Sequence, residues 1–72
     1  MIRLFADANI FVAAAASPAG GSAVLLEACR KGLIEIVTSH LALMEADRNI
    51  RKKLPPSNLR RYHRFLEETP LL

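Results

Sequence analysis

Residues 4–11 read LFADANIF, and this stretch decides the fold. Leu4, Phe5 and Ala6 form a short apolar run that stops at Asp7; Asn9 follows, and the chain turns apolar again at Ile10. An apolar run stopped by a carboxylate is the pattern of a buried strand ending at a polar cleft. In open α/β sheets, ligands bind at the carboxyl ends of the strands. Asp7 is therefore the first candidate for chemistry. It has a plainer use too, because Asp and Asn after a strand often cap the next helix.

Outward from that stretch, strand and helix alternate. Ile2–Ala6 is read as the first strand. Ala8–Ala16 reads as a helix, alanine being the strongest helix former. It stops at Ser17-Pro18, since the residue before proline is pushed out of the helical region. Gly20-Gly21 makes a turn, and Ser22 is the expected N-cap of a second helix over Ala23–Lys31. That helix carries Val24, Leu25 and Ala28 on one face, with a Glu27–Lys31 pair four residues apart; Gly32 ends it. The Gly-Gly-Ser turn has a phosphate-binding reading, through backbone N–H groups at a helix start. With no Gly-Lys-Ser/Thr behind it, a plain turn is the better reading. Leu33–Thr38, LIEIVT, is the second strand. A strand, a helical connection and a second strand make a βαβ unit with parallel strands.

Ser39 or Thr38 caps a third helix that runs to about Leu54 and stops at Pro55-Pro56. At roughly 100° per residue, Ala42, Leu43, Ala46, Ile50 and Leu54 gather into one apolar stripe. Glu45 falls off that stripe, beside Arg48, Asn49 and Lys52. Two readings stand: a solvated Glu45 paired with Arg48, or a carboxylate leaning back toward Asp7, because helical side chains point toward their own N-terminus. Asn58–Glu68 is the fourth helix, capped by Ser57, with Leu59, Tyr62, Phe65 and Leu66 on its buried face. Pro70-Leu71-Leu72 then reads as the approach to a third strand.

The 72 residues allow at most one domain, and 51% are apolar, which excludes a disordered tail. One cysteine, Cys29, leaves no internal disulfide and no zinc spacing. That fits a cytoplasmic chain. The stretch Ile10–Ala16, IFVAAAA, imitates a leader peptide, but Asp7 and Asn9 interrupt it where the apolar region should form. No run approaches the ~20 apolar residues of a membrane span. His40 and His63 are read as solvated or packed side chains. Charge is uneven: residues 1–40 balance three basic against three acidic side chains, excluding histidine. From Arg48 to Arg64 stand seven cations and no acid: Arg48, Arg51, Lys52, Lys53, Arg60, Arg61 and Arg64. Such a block, with Tyr62 inside it, suits a phosphate backbone; it equally suits a solvated helix face.

The N-terminal strand with Asp7-Ala-Asn9-Ile10, the small-residue loop, the second strand and Ser39…Glu45-Ala46-Asp47-Arg48-Asn49 resemble the PIN domain family. These are metal-dependent ribonucleases, among them the toxins of many toxin–antitoxin pairs. Leu54–Leu72 resembles that family's linking helix. The resemblance covers the whole chain but only about the first half of a PIN domain, so residues 1–72 are expected to be a single partial domain. It implies an α/β, Rossmann-like fold: a short parallel sheet of two strands with about four helices.

By the same resemblance, Asp7 matches the first acidic metal ligand and Glu45 the second. Asn9 matches the small polar residue near the first ligand, and Ser39 supports the same edge. The implied ion is Mg²⁺ or Mn²⁺, weakly held. Magnesium is held by one or two carboxylates plus water and phosphate oxygens, and the family's later acidic positions are not matched here. The expected function is therefore the N-terminal part of a ribonuclease that needs complementing. The alternative is a non-catalytic remnant or small basic module that dimerises and binds RNA or a protein. Expected partners are RNA, a second copy or a complementing second half, and an antitoxin-like protein, with no membrane. A two-stranded parallel sheet with both edges open is not stable alone, which is the physical reason to expect a partner.

Overall fold

The computed structural model describes residues 2–69. They run β1 (Ile2–Phe5), α1 (Ala8–Ala16), α2 (Gly21–Arg30), β2 (Ile34–Val37), α3 (His40–Lys53) and α4 (Pro56–Glu68). The α/β class is as expected: β1 and β2 are parallel neighbours in a two-stranded sheet, with Leu4 opposite Ile36 and Phe5 opposite Val37. The third strand read from Pro70-Leu71-Leu72 lies outside the described residues. No single helix among them is long and apolar enough to cross a membrane.

The sheet has a core face and an open face because strand side chains alternate. Ile34 and Ile36 turn inward, and Ile36 is fully buried. Arg3 and Glu35 pair on the opposite face, 3.3 Å apart. Phe5 shares that open face. The strands are each slightly shorter than read, ending at Phe5 and Val37, but Ala6 N–H still donates to the Val37 carbonyl at 2.9 Å.

Helix α1 is the hub, packing against α2, α3 and α4. Its alanines let those helices approach closely, and buried Phe11 meets the Tyr62 ring edge-on, with centroids 6.1 Å apart. The stripe read on α3 holds: Ala46 and Ile50 are fully buried, with Leu43 and Leu54 against the core. On α4, Tyr62 is buried and Leu59, Phe65 and Leu66 flank it, also as read. The Tyr62 hydroxyl donates to the Leu43 carbonyl at 3.2 Å, and burial, helped by the nearby Asp47 charge, pushes its pKa up to about 12.

Two helix starts differ from the sequence reading. Helix α2 is N-capped by Gly20 and not by Ser22, with no side-chain cap bond. Gly20 N–H donates to the Ser17 carbonyl at 3.0 Å, and Val24 N–H to the Gly20 carbonyl at 3.1 Å. That turn delivers the chain into the helix early. Helix α4 starts at Pro56 behind Pro55, so Ser57 sits inside the first turn and caps nothing. Proline suits the first helical position because its missing N–H is not needed there. Gly32 does close the α2 connection, at φ +79, a conformation other residues rarely adopt.

The ion pairs also rearrange. Glu27 bonds Arg30, one turn away, rather than Lys31. Glu45 forms no ion pair with Arg48 among the described residues. Asp47 instead takes Arg51 at 2.5 Å and His63 at 3.1 Å, so His63 ties α4 to α3. Burial raises the Asp47 pKa, but the hydrogen bonds from Arg51 and His63 outweigh it and hold the carboxyl below its ordinary range. A depressed folded pKa stabilises above the unfolded value, about 3.9, and that contribution is lost as pH falls through the folded value. Asp47→Asn should therefore melt at lower temperature than wild type at neutral pH, and the two should converge toward pH 2. Parallel acid limbs in a series of thermal melts would contradict this clasp.

Candidate functional site

The carboxyl ends of β1 and β2 open into a cleft of about 490 Å³, lined by Phe5, Ala6, Asp7, Ile10, Thr38, Ser39 and Ala42. Parallel strands put both ends on one edge, and each strand leads directly into a helix there. Asp7 caps α1: its Oδ1 accepts from Ile10 N–H at 3.3 Å. Ser39 caps α3, its Oγ accepting from Ala42 N–H at 3.1 Å. Thr38 Oγ1 donates to the Ala6 carbonyl at 2.9 Å, latching one strand end to the other. The N-termini of two helices thus meet at one cleft. Each carries partial positive charge and N–H groups with no intrahelical partner.

The capping role of Asp7 does not exhaust it. The side chain is exposed, and its Oδ2 makes no hydrogen bond among the described residues. That oxygen suits a hard cation such as Mg²⁺ or Mn²⁺, which accepts one or two carboxylates and completes its shell with water and phosphate oxygens. Glu45 is exposed on α3, three residues beyond Ala42, and does not line the cleft. Asn9 is exposed in the first turn of α1, outside the lining. Among the described residues, no three His, Cys, Asp or Glu side chains gather as a metal-holding group.

The basic block divides by what its members already do. Arg61 donates to the Ala15 carbonyl at the end of α1, as does Asn58 at 2.7 Å. Both satisfy backbone that α1 leaves open at its C-terminus. Arg51 is held by Asp47. Arg48, Lys52, Lys53, Arg60 and Arg64 are exposed and make no ion pair among the described residues. On α4, Arg60 and Arg64 stand four apart, on the side away from Tyr62.

A larger groove of about 590 Å³ runs between α1, α2 and α4, over Phe11, Leu26 and Phe65. It holds neither Asp7 nor Glu45. The smaller cleft is the better site for chemistry, because it joins a carboxylate to two helix N-termini at a strand edge.

Two cleft residues have roles that the sequence does not show: Phe5, and Thr38, which reads as an alternative cap of α3 whereas Ser39 is the cap. Phe5 was read only as part of a buried run, yet Arg3 and Glu35 already marked its side of the sheet as solvent-facing. The Thr38 latch had no sequence signal beyond a hydroxyl at a strand end. Comparison of the chain with protein-family models, with curated proteins and with solved structures gives no match.

Proposed function

We propose that this chain is the N-terminal part of a PIN-type, metal-dependent endoribonuclease that acts when complemented. The observation that carries the reading is Asp7, a carboxylate at the end of β1 in a cleft where two helix N-termini meet. Helix N-termini favour phosphate, and the Asp7 carboxylate among them would favour a divalent cation. Asp7 would hold the ion; Glu45, the second carboxylate by the resemblance, lies outside the cleft lining. The chemistry that Mg²⁺ or Mn²⁺ would supply there is activation of water and stabilisation of the leaving oxygen in phosphodiester hydrolysis. The residues of the chain do the positioning: Ser39 and Thr38 fix the edge, and Arg48, Lys52, Arg60 and Arg64 contact the RNA backbone.

A second copy or a separate second half completes the sheet and supplies further carboxylates. The support is the sheet itself, with two strands, an open face, and Ile2 and Leu33 at 65% and 68% exposure. Open strand edges invite pairing. One observation favours the alternative of a non-catalytic partner that binds RNA or an antitoxin-like protein: Glu45 does not line the cleft.

RNA titrations and single-turnover cleavage test the proposal together. Affinity should fall linearly in log–log with salt, and Arg60→Ala with Arg64→Ala should flatten the slope by up to about two units. Arg61 is left intact because it holds α1. Cleavage in Mn²⁺ should depend on Asp7. An unchanged slope returns those arginines to a solvated face, and RNA left uncut in the presence of a complementing partner selects the non-catalytic alternative.

A further inference from the structure

We propose that the groove between α1, α2 and α4 binds a long-chain carboxylate of the fatty-acid type, its tail on the groove floor and its head at Lys31 and Arg64. The inference goes beyond the RNA reading and needs none of it. The groove, of about 590 Å³, shares no lining residue with the cleft at the strand ends. The sequence makes the space. Helix α1 is the floor, and α2 and α4 each pack against it. Facing the groove, α1 carries Ala14 and Ala15 and α2 carries Ala23 and Ala28, whose methyl groups leave the volume between the helices unfilled. Val24 and Leu33 also line it, 62% and 68% exposed. The polar groups of the floor are already engaged. The Tyr62 hydroxyl donates to the Leu43 carbonyl, and the Ala15 carbonyl accepts from Asn58 and Arg61. What the floor offers is therefore hydrocarbon and ring surface.

Charge selects the occupant. The charged residues of the lining are Arg30, Lys31, Arg61 and Arg64 against Glu27 and Glu68. Both carboxylates act on one cation: Glu27 accepts from Arg30 Nε at 3.0 Å, and the Glu68 charge also reaches Arg30. Arg61 is tied to the Ala15 carbonyl. Lys31, whose charge reaches Glu27 without a bond, and Arg64 make no hydrogen bond or ion pair among the described residues. They stand on α4 and at the end of α2, one for each wall. Small-molecule sites of about 300–1,000 Å³ are mostly apolar, with a few polar groups that fix orientation. An apolar floor below two unpaired cations complements a long apolar body with one anionic end. A partner helix fits less well: about 10–12 Å across with its side chains, three turns of it displace roughly twice the groove's volume.

The test titrates the full chain calorimetrically with octanoate, decanoate and dodecanoate, each kept below the concentration at which it forms micelles. Affinity should rise by up to about 15-fold for each added pair of methylenes. Dodecanoate should bind more tightly than dodecanol, and dodecyltrimethylammonium should bind least. Ala28→Leu fills the groove with a residue of similar helix propensity and should weaken dodecanoate by about 5- to 150-fold. Lys31→Ala with Arg64→Ala should weaken dodecanoate by about 2- to 30-fold and leave dodecanol unchanged. Circular dichroism checks the fold of each variant, and the chain-length and head-group series in wild type need no variant. Equal affinity for the three carboxylates, or for dodecanoate and dodecyltrimethylammonium, would overturn the proposal. No binding of any carboxylate by wild type would overturn it too. Phosphatidylglycerol vesicles bound in place of monomeric dodecanoate would then make the groove a membrane contact. A change in the mass of Ala28→Leu by light scattering would make it a contact between copies.

Discussion

Phe11→Ala should leave most of the chain unfolded at room temperature. Phe11 is fully buried on α1, the helix that α2, α3 and α4 all pack against, and its ring meets Tyr62 edge-on. Truncating a buried phenylalanine costs about 3–5 kcal/mol, from lost transfer energy and the cavity left behind. At about 0.05–0.15 kcal/mol per residue, a chain of this length has roughly 4–11 kcal/mol in total. Small chains fall toward the lower end, because they bury less of their surface. The truncation therefore removes most or all of the stability. Phe5→Ala is the control: the same chemical change at an exposed site should shift stability by no more than about 0.5 kcal/mol. Urea titrations followed by circular dichroism check both. A Phe11→Ala variant within about 1 kcal/mol of wild type would mean that the core is not organised around α1.

The order of elements was legible because its signals are local. Leu4–Ala6 stopped by Asp7, alanines from Ala8 to Ala16, β-branched residues after Gly32, and Pro55-Pro56 after an amphipathic stripe each depend on nearby residues. The α3 stripe was readable for the same reason, since helical periodicity survives without knowing what it packs against. Helix starts were less legible. A serine before a helix reads as the cap at Ser22 and Ser57, whereas backbone turns at Gly20 and Pro55 begin those helices earlier. Ion pairs were the least legible, because the partner depends on how helices dock. Asp47 reaches His63 across the α3–α4 contact, 16 residues away in sequence. The candidate site divides along the same line. Asp7 and Ser39 are placed by their own strand ends, and both cap helices in the cleft. Glu45 depended on the pitch of α3 relative to the sheet, which periodicity alone does not set.

Removing the Asp7 carboxylate should abolish most Mn²⁺ binding. One carboxylate with water holds an ion loosely, and two hold it better. Asp7 offers Oδ2 at the cleft, and Glu45 on α3 does not line it. Calorimetric titration of Mn²⁺ into wild type, Asp7→Asn and Glu45→Gln tests this most directly. Binding should be weak but saturable in wild type and mostly lost in Asp7→Asn, whereas Glu45→Gln, outside the cleft lining, should keep most of it. Equal binding by wild type and Asp7→Asn would contradict a metal site on Asp7 at the ends of β1 and β2.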